Sequence, residues 1–334
     1  MKRFLAIGAL LLECAFLGNA CPYYCASKEQ CLQEATIFDY HSRDCPDQQV
    51  CCGILNNNNP QLPQGPSKNK EECGMSNPNG LDFQLIPGTG DTKPGQYPWV
   101  VALFINDDLS GSGSLIRRDV VLTSAHIVVY KNANDMVVRA GEWDMNTEAE
   151  DFHFEERQVE RTEIHEKFNY TAGDNNVALL FLQKPYDLGE HINTICLPTP
   201  RTSYANRQCI VTGWGKKQFW NVGYSAVLKK VVLPMVDRSW CQEQLRKTAL
   251  GWKYELAQSL ICAGGEANQD ACTGDGGSAL FCSIGAESSR IYEQIGIVNW
   301  GMGCGQKDMP GTYTNVAMFR EWIDTKLIAF FYKK

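Results

Sequence analysis

Three short stretches carry the residues whose types and spacing could do chemistry. The first, Val121-Leu122-Thr123-Ser124-Ala125-His126, ends in an imidazole. The second is Asp174-Asn175-Asn176-Val177-Ala178-Leu179-Leu180. The third is Cys272-Thr273-Gly274-Asp275-Gly276-Gly277-Ser278-Ala279-Leu280-Phe281-Cys282. The chemistry such side chains could do is acyl transfer through a covalent intermediate. That reaction needs a nucleophile, a base to take its proton, and a carboxylate to orient the base. Metal chemistry is not indicated. The spacings Cys21-x3-Cys25-x5-Cys31 and Cys51-Cys52 lack a repeated C-x2-C pair and nearby histidines, so no zinc site is expected.

The elements that must position these residues read as strands. Short β-branched and aromatic runs at 99–105, 120–123, 136–140 and 295–300, separated by turn signals, indicate an all-β fold. Near the end, Phe319, Trp322, Ile323, Leu327 and Ile328 recur at helical spacing and predict a helix with one buried face. The chain has 334 residues, enough for one large domain or two unequal ones, and 44% hydrophobic residues can supply a sizeable core. A formal charge of −7 argues against nucleic acid or an anionic membrane as the main partner.

Residues 1–20 read as a secretory signal: Lys2 and Arg3, an apolar run, then Gly18-Asn19-Ala20 as a small-x-small cleavage site. No later stretch is long and apolar enough to span a bilayer. Of 15 cysteines, Cys14 lies in the signal, which leaves 14, an even number suited to an oxidising compartment. Six of them, Cys21, Cys25, Cys31, Cys45, Cys51 and Cys52, crowd into residues 21–52, a segment too small to fold without staples. Residues 53–85 are polar and Pro-rich, with Cys73 alone among them, and read as a linker. Residues 86–334 hold the strand-rich remainder.

The run 272–282 closely resembles the nucleophile loop of chymotrypsin-family serine proteases, C-x-G-D-S-G-G-P-L-x-C. Glycine stands where the serine belongs, so no covalent intermediate can form at Gly276. By the same resemblance His126 matches the base, and Asn176 takes the place of the aspartate. In other serine proteases that amide costs about 10⁴-fold in kcat, and loss of the serine unit on the order of 10⁶-fold. Neither Asp174 nor Ser278, each two residues away, is expected to substitute. Along an extended strand such an offset displaces a side chain by about 6–7 Å. The pocket is better kept. Asp270, six before Gly276, matches the acid that pairs with Arg or Lys. Trp300-Gly301 and Pro310-Gly311 match its walls, and Asn299 replaces the usual rim serine.

The resemblance implies a trypsin-like double six-stranded antiparallel β-barrel with a C-terminal helix. The order of the first six cysteines resembles the clip domain that precedes such domains in arthropod blood cascades. It implies Cys21–Cys51, Cys25–Cys45 and Cys31–Cys52, then Cys73–Cys196, Cys209–Cys282, Cys241–Cys262 and Cys272–Cys304. One family bridge, between the positions of Gly111 and Ile127, is absent at both ends. Activation is altered as well. Leu85-Ile86-Pro87-Gly88-Thr89 stands where the family has a basic residue and then I-V-G-G, so the expected pairing of a new amine at Ile86 with Asp275 has no trypsin-like cut to create it. Candidate cuts lie instead after Arg43, Lys68 or Lys70. Asn169-Tyr170-Thr171 is an N-glycosylation sequon.

The function implied is that of a secreted, non-catalytic clip-domain serine protease homologue. It would act without cofactor in haemolymph-like fluid on extracellular proteins of a protease cascade, such as prophenoloxidase activation, with oligomerisation after cleavage left open. The alternatives are an active trypsin-like enzyme, a decoy that captures inhibitors or substrates through Asp270, and a developmental adhesion protein.

Overall fold

Residues 100–105 are apolar strand formers, and all but Phe104 are buried. Such a strand needs cover on both faces, and the fold supplies it by closing sheets into barrels. In the computed structural model the residues described are 24–27, 36–39, 49–53, 73–81, 87–147, 152–199, 204–216, 223–285 and 289–331. Residues 1–20, read above as a signal, Ile86 and most of residues 53–85 lie outside them. Two units divide the chain, residues 1–69 and 70–334.

In the first unit β1 (Tyr24–Ser27), β2 (Thr36–Asp39) and β3 (Gln49–Gly53) form an antiparallel sheet with β3 in the middle. The register sets Cys25 opposite Cys51 and Ile37 opposite Cys52. Each of the three pairings implied for this unit involves a cysteine outside the described residues: Cys21, Cys45 or Cys31.

The second unit holds two closed six-stranded antiparallel barrels. The first is formed by β4 (Val100–Ile105), β5 (Asp108–Arg117), β6 (Val120–Thr123), β7 (Met136–Ala140), β8 (Glu155–Ile164) and β9 (Ala178–Leu182), in the order β4-β5-β6-β9-β8-β7. The second is formed by β10 (Gln208–Gly213), β11 (Lys229–Val236), β12 (Leu260–Gly264), β13 (Ala279–Ser283), β14 (Tyr292–Trp300) and β15 (Pro310–Asn315), in the order β10-β11-β12-β15-β14-β13. Closure leaves neither sheet an open edge. Between the barrels Trp99, Phe181, Trp214, Phe281 and Ile297 form one continuous core, with Trp99 edge-on to Phe281 at 5.2 Å. The buried Ser114 hydroxyl of β5 donates to the Gln294 side-chain carbonyl of β14, a polar tie across the same seam.

Among the described residues of this unit are three α-helices: α1 (Ala125–Val128), α2 (Arg238–Arg246) and α3 (Arg320–Phe331). The Asp237 carboxylate caps α2 by accepting from the Ser239 and Trp240 N–H groups. α3 buries Ile323 and Phe330 in the inter-barrel core, where Phe330 meets Phe181 at 4.3 Å. Disulfides join Cys73–Cys196, Cys209–Cys282, Cys241–Cys262 and Cys272–Cys304. Where the family would have its further bridge, Ile127 fills the room: a Cβ added at Gly111 would lie 2.5 Å from Ile127 Cδ1. Among the described residues no helix is long and apolar enough to cross a membrane.

Candidate functional site

His126 is placed by strand register. β6 and β9 are antiparallel neighbours with Thr123 opposite Ala178, so the turn that leaves β6 and the loop that enters β9 meet. One short turn of helix, α1, carries His126 on the first side. Asn176 sits on the second, after Asn175 has taken the left-handed conformation (φ 52°) that asparagine tolerates better than most residues. Asn176 is 1% exposed. Its Oδ1 accepts from the His126 backbone N–H at 2.9 Å, and its Nδ2 lies 2.9 Å from His126 Nδ1.

That contact sets the chemistry of the ring. Asn176 Nδ2 also donates to Asn299 Oδ1 at 2.8 Å. Asn299 Nδ2 in turn donates to the Gly173 carbonyl at 2.7 Å and to Thr314 Oγ1 at 3.2 Å, and the Thr314 hydroxyl donates to the Asn176 carbonyl at 2.9 Å. Every amide orientation is thus determined by a backbone partner. The Asn176 amide must present a donor to Nδ1, so Nδ1 accepts and the ring proton sits on Nε2. A general base needs the reverse arrangement, with Nε2 free to take a proton. Burial holds the His126 pKa below its ordinary value, and the ring stays neutral.

Gly276 faces that same nitrogen. A Cβ built on Gly276 would lie 3.0 Å from His126 Nε2 and 3.3 Å from Cε1, so the imidazole has closed on the space a nucleophile would use. Gly277, at φ 79°, is the position that cannot carry a side chain: its Cβ would meet the Ser112 carbonyl and Thr123 Oγ1 at 2.3 Å. Neither candidate substitute is placed to help. The Ser259 hydroxyl donates to the Asp174 carboxylate, and Ser278 Oγ is buried without a hydrogen-bond partner.

The pocket lies directly beneath. A cavity of about 290 Å³ opens beside His126 and Gly276, is walled by Trp300, Gly301 and Gly311, and has Asp270 at its floor. One wall is tight. A Cβ at Gly311 would lie 3.2 Å from the Tyr313 hydroxyl and 3.3 Å from Asp270 Oδ1, whereas one at Gly301 would make only ordinary contacts, 3.5 Å from the Gly303 carbonyl and 4.0 Å from Gly311 Cα. Asp270 accepts from the Gly305 N–H at 3.1 Å. Burial pushes its pKa up to about 7, while the Gly305 and Ala271 N–H groups pull it down. The buried Tyr313 hydroxyl, also unpartnered, lies against the same wall. A more apolar groove of about 740 Å³ continues from His126 past Phe168, Tyr170, Leu250, Tyr254 and Trp300. Asn299 does more than occupy the rim: it is 8% exposed and orients Asn176, a role the rim position alone did not suggest.

Asp275 is fully buried and ion-paired with Lys229. Sequence reasoning missed Lys229, which reads as one of two ordinary lysines at the head of β11 and matches no motif. The sequon residue Asn169 is exposed, and its Oδ1 accepts from the Thr171 and Ala172 N–H groups. Among the described residues no cluster of three or more His, Cys, Asp or Glu could hold a metal ion.

Two barrels, a histidine at their seam and an acid-floored pocket define the class, and comparison with known proteins agrees. A family model described as Trypsin matches residues 86–323. Phenoloxidase-activating factor 2 of Galleria mellonella is 43% identical over 80% of this chain and 93% of that protein. An inactive CLIP domain-containing serine protease, A8 of Anopheles gambiae, is 36% identical over 88% of this chain and 83% of its own length. Phenoloxidase-activating factor 3 of Holotrichia diomphalia is 31% identical over 82% of this chain and 78% of its own length. The chain belongs to the trypsin family, among its clip-domain serine protease homologues.

Proposed function

We propose that this protein is a secreted, non-catalytic cofactor that binds partners in an extracellular proteolytic cascade, and that the cascade is the one leading to phenoloxidase. The observation that carries the first half is the meeting of Gly276 and His126: no nucleophile on one side, and an Nε2 that bears a proton on the other. The pathway rests on the names of the relatives from Galleria and Holotrichia, and the word inactive in the name of the Anopheles relative supports the lack of turnover.

On this reading residues 1–20 are removed on export, 21–52 form the clip domain, 53–85 link it, and 86–334 supply the binding surface. The clip cysteines pair as Cys21–Cys51, Cys25–Cys45 and Cys31–Cys52, and Asn169 carries a glycan. Regulatory cleavage falls after Arg43, Lys68 or Lys70. A cut after either lysine frees the clip domain, because Cys73 stays tethered to Cys196. The Asp270 pocket receives an Arg or Lys side chain of a partner, since a desolvated carboxylate at the base of a narrow shaft favours a long cation.

The test has two parts. Purified full-length protein should turn over no Arg or Lys peptide substrate and take no fluorophosphonate label; a label inside the cleft would sink the non-catalytic assignment. Added to haemolymph depleted of it, the same protein should restore phenoloxidase activation. Failure to do so, with binding to cell surfaces instead, would favour the developmental reading.

A further inference from the structure

We propose that the Lys229 ammonium is a built-in counter-ion that holds the pocket loop formed in the uncut chain, with no need for a new amine at residue 86. The ligand half of the test rests on the reading above that the pocket takes a basic side chain. The counter-ion half does not.

The Asp275 carboxylate is 0% exposed, and a buried carboxylate without a partner is costly. Here every direction is answered. Oδ1 accepts from the Gly215 N–H at 2.9 Å, and Oδ2 accepts from the Cys272 N–H at 2.9 Å and from Lys229 Nζ. The seat is shaped for a carboxylate. A Cβ on Gly213 would lie 2.3 Å from Asp275 Oδ1, and one on Gly215 would lie 2.5 Å from it. Lys229 is the first residue of β11 and pairs with Gly213 across the ladder, so the register itself delivers the ammonium to the seat. Its side chain is 12% exposed.

The consequence reaches the pocket. Cys272, Thr273, Gly274 and Gly276 all line it, and Asp275 lies between them. The Lys216 N–H donates to the Thr273 carbonyl at 2.8 Å, so the loop is tied to residues 215–216 at two further points besides the ion pair. The segment that follows residue 86 is itself occupied. Thr92 N–H donates to the Leu228 carbonyl, Lys230 N–H donates to the Gly90 carbonyl, and the Asp91 backbone forms an isolated antiparallel β-bridge with that of Lys229. A trypsin-like cut before Ile86 would also need a basic residue, and Leu85 is none.

The experiment uses the full chain, verified uncut by mass, with p-aminobenzamidine as the probe and hydrogen exchange as a ligand-free readout. The Gly215 and Cys272 amides should be protected in the uncut wild type. Lys229→Gln should speed their exchange and weaken amidine binding, each by roughly a hundredfold, while Lys229→Arg, which keeps a cation, should restore both. Equal protection in Lys229→Gln would overturn the proposal. So would fast exchange in the uncut wild type, a result that needs no variant to fold. Protection that depends on Lys229 without any amidine binding would support the counter-ion and sink the basic-side-chain reading instead.

Discussion

The corner around His126 and the shaft above Asp270 share a cleft, yet they differ in what their residues permit. At the corner an amide replaces the carboxylate, glycine replaces the nucleophile, and a second amide at Asn299 braces the first. In the shaft the acid, both glycine walls and the disulfide-bonded loop are all in place. Turnover depends on proton positions within one hydrogen-bond network, where one changed atom reverses a donor and an acceptor. Binding depends on shape and charge, which survive such changes. On the reading proposed above, the cleft holds a polypeptide and does not cut it.

Repairing the corner should give the largest effect. Gly276→Ser alone should take fluorophosphonate label only very slowly, because Nε2 bears the ring proton and crowds the new side chain. Adding Asn176→Asp should raise the labelling rate by about 10⁴-fold, since a carboxylate returns the proton to Nδ1. Equal labelling of the single and double variants would refute the tautomer argument. On the other side of the comparison, Asp270→Asn should weaken benzamidine by roughly a hundredfold and leave the corner untouched. The folded pKa of Asp270 lies above its unfolded value, so its neutral form stabilises the fold below about pH 4 and that stability is lost as pH rises through about 7. At pH 8 the same substitution should therefore raise Tm, by the equivalent of up to about 4 kcal/mol. An unchanged Tm would show the carboxyl to be better solvated than its seat implies.

Asn299→Ala should leave the buried Asn176 amide without its acceptor and destabilise the protein by about 2 kcal/mol, read from urea unfolding. No change would mean the two amides do not lean on each other. The smallest effect is in pH. Amidine binding requires the ionised Asp270, so affinity should be about tenfold lower at pH 6 than at pH 8. A flat profile would move the binding site away from Asp270.

Much of this was legible before any coordinates. By its resemblance to the chymotrypsin-family motif, Gly276 between Asp275 and Gly277 reads as a missing hydroxyl and Asp270 six residues earlier as a pocket acid, because both lie within one local loop. Runs such as residues 120–123 and 136–140 match strands with those bounds, since buried β-branched residues have few other uses. The C-terminal periodicity matches α3 for the same reason.

Strand patterning was enough to indicate the strand-rich class, and the resemblance to chymotrypsin-family motifs implied the absent nucleophile and the acid in the pocket. All of these are written in residue identities that act locally. Only the tertiary structure decided that Asn299, 123 residues from Asn176, braces the amide that meets the histidine, and that Lys229, 46 residues from Asp275, pairs with the buried carboxylate. Hydrogen bonds and ion pairs depend on which groups meet at about 3 Å, and barrel register, not distance along the chain, determines which groups meet.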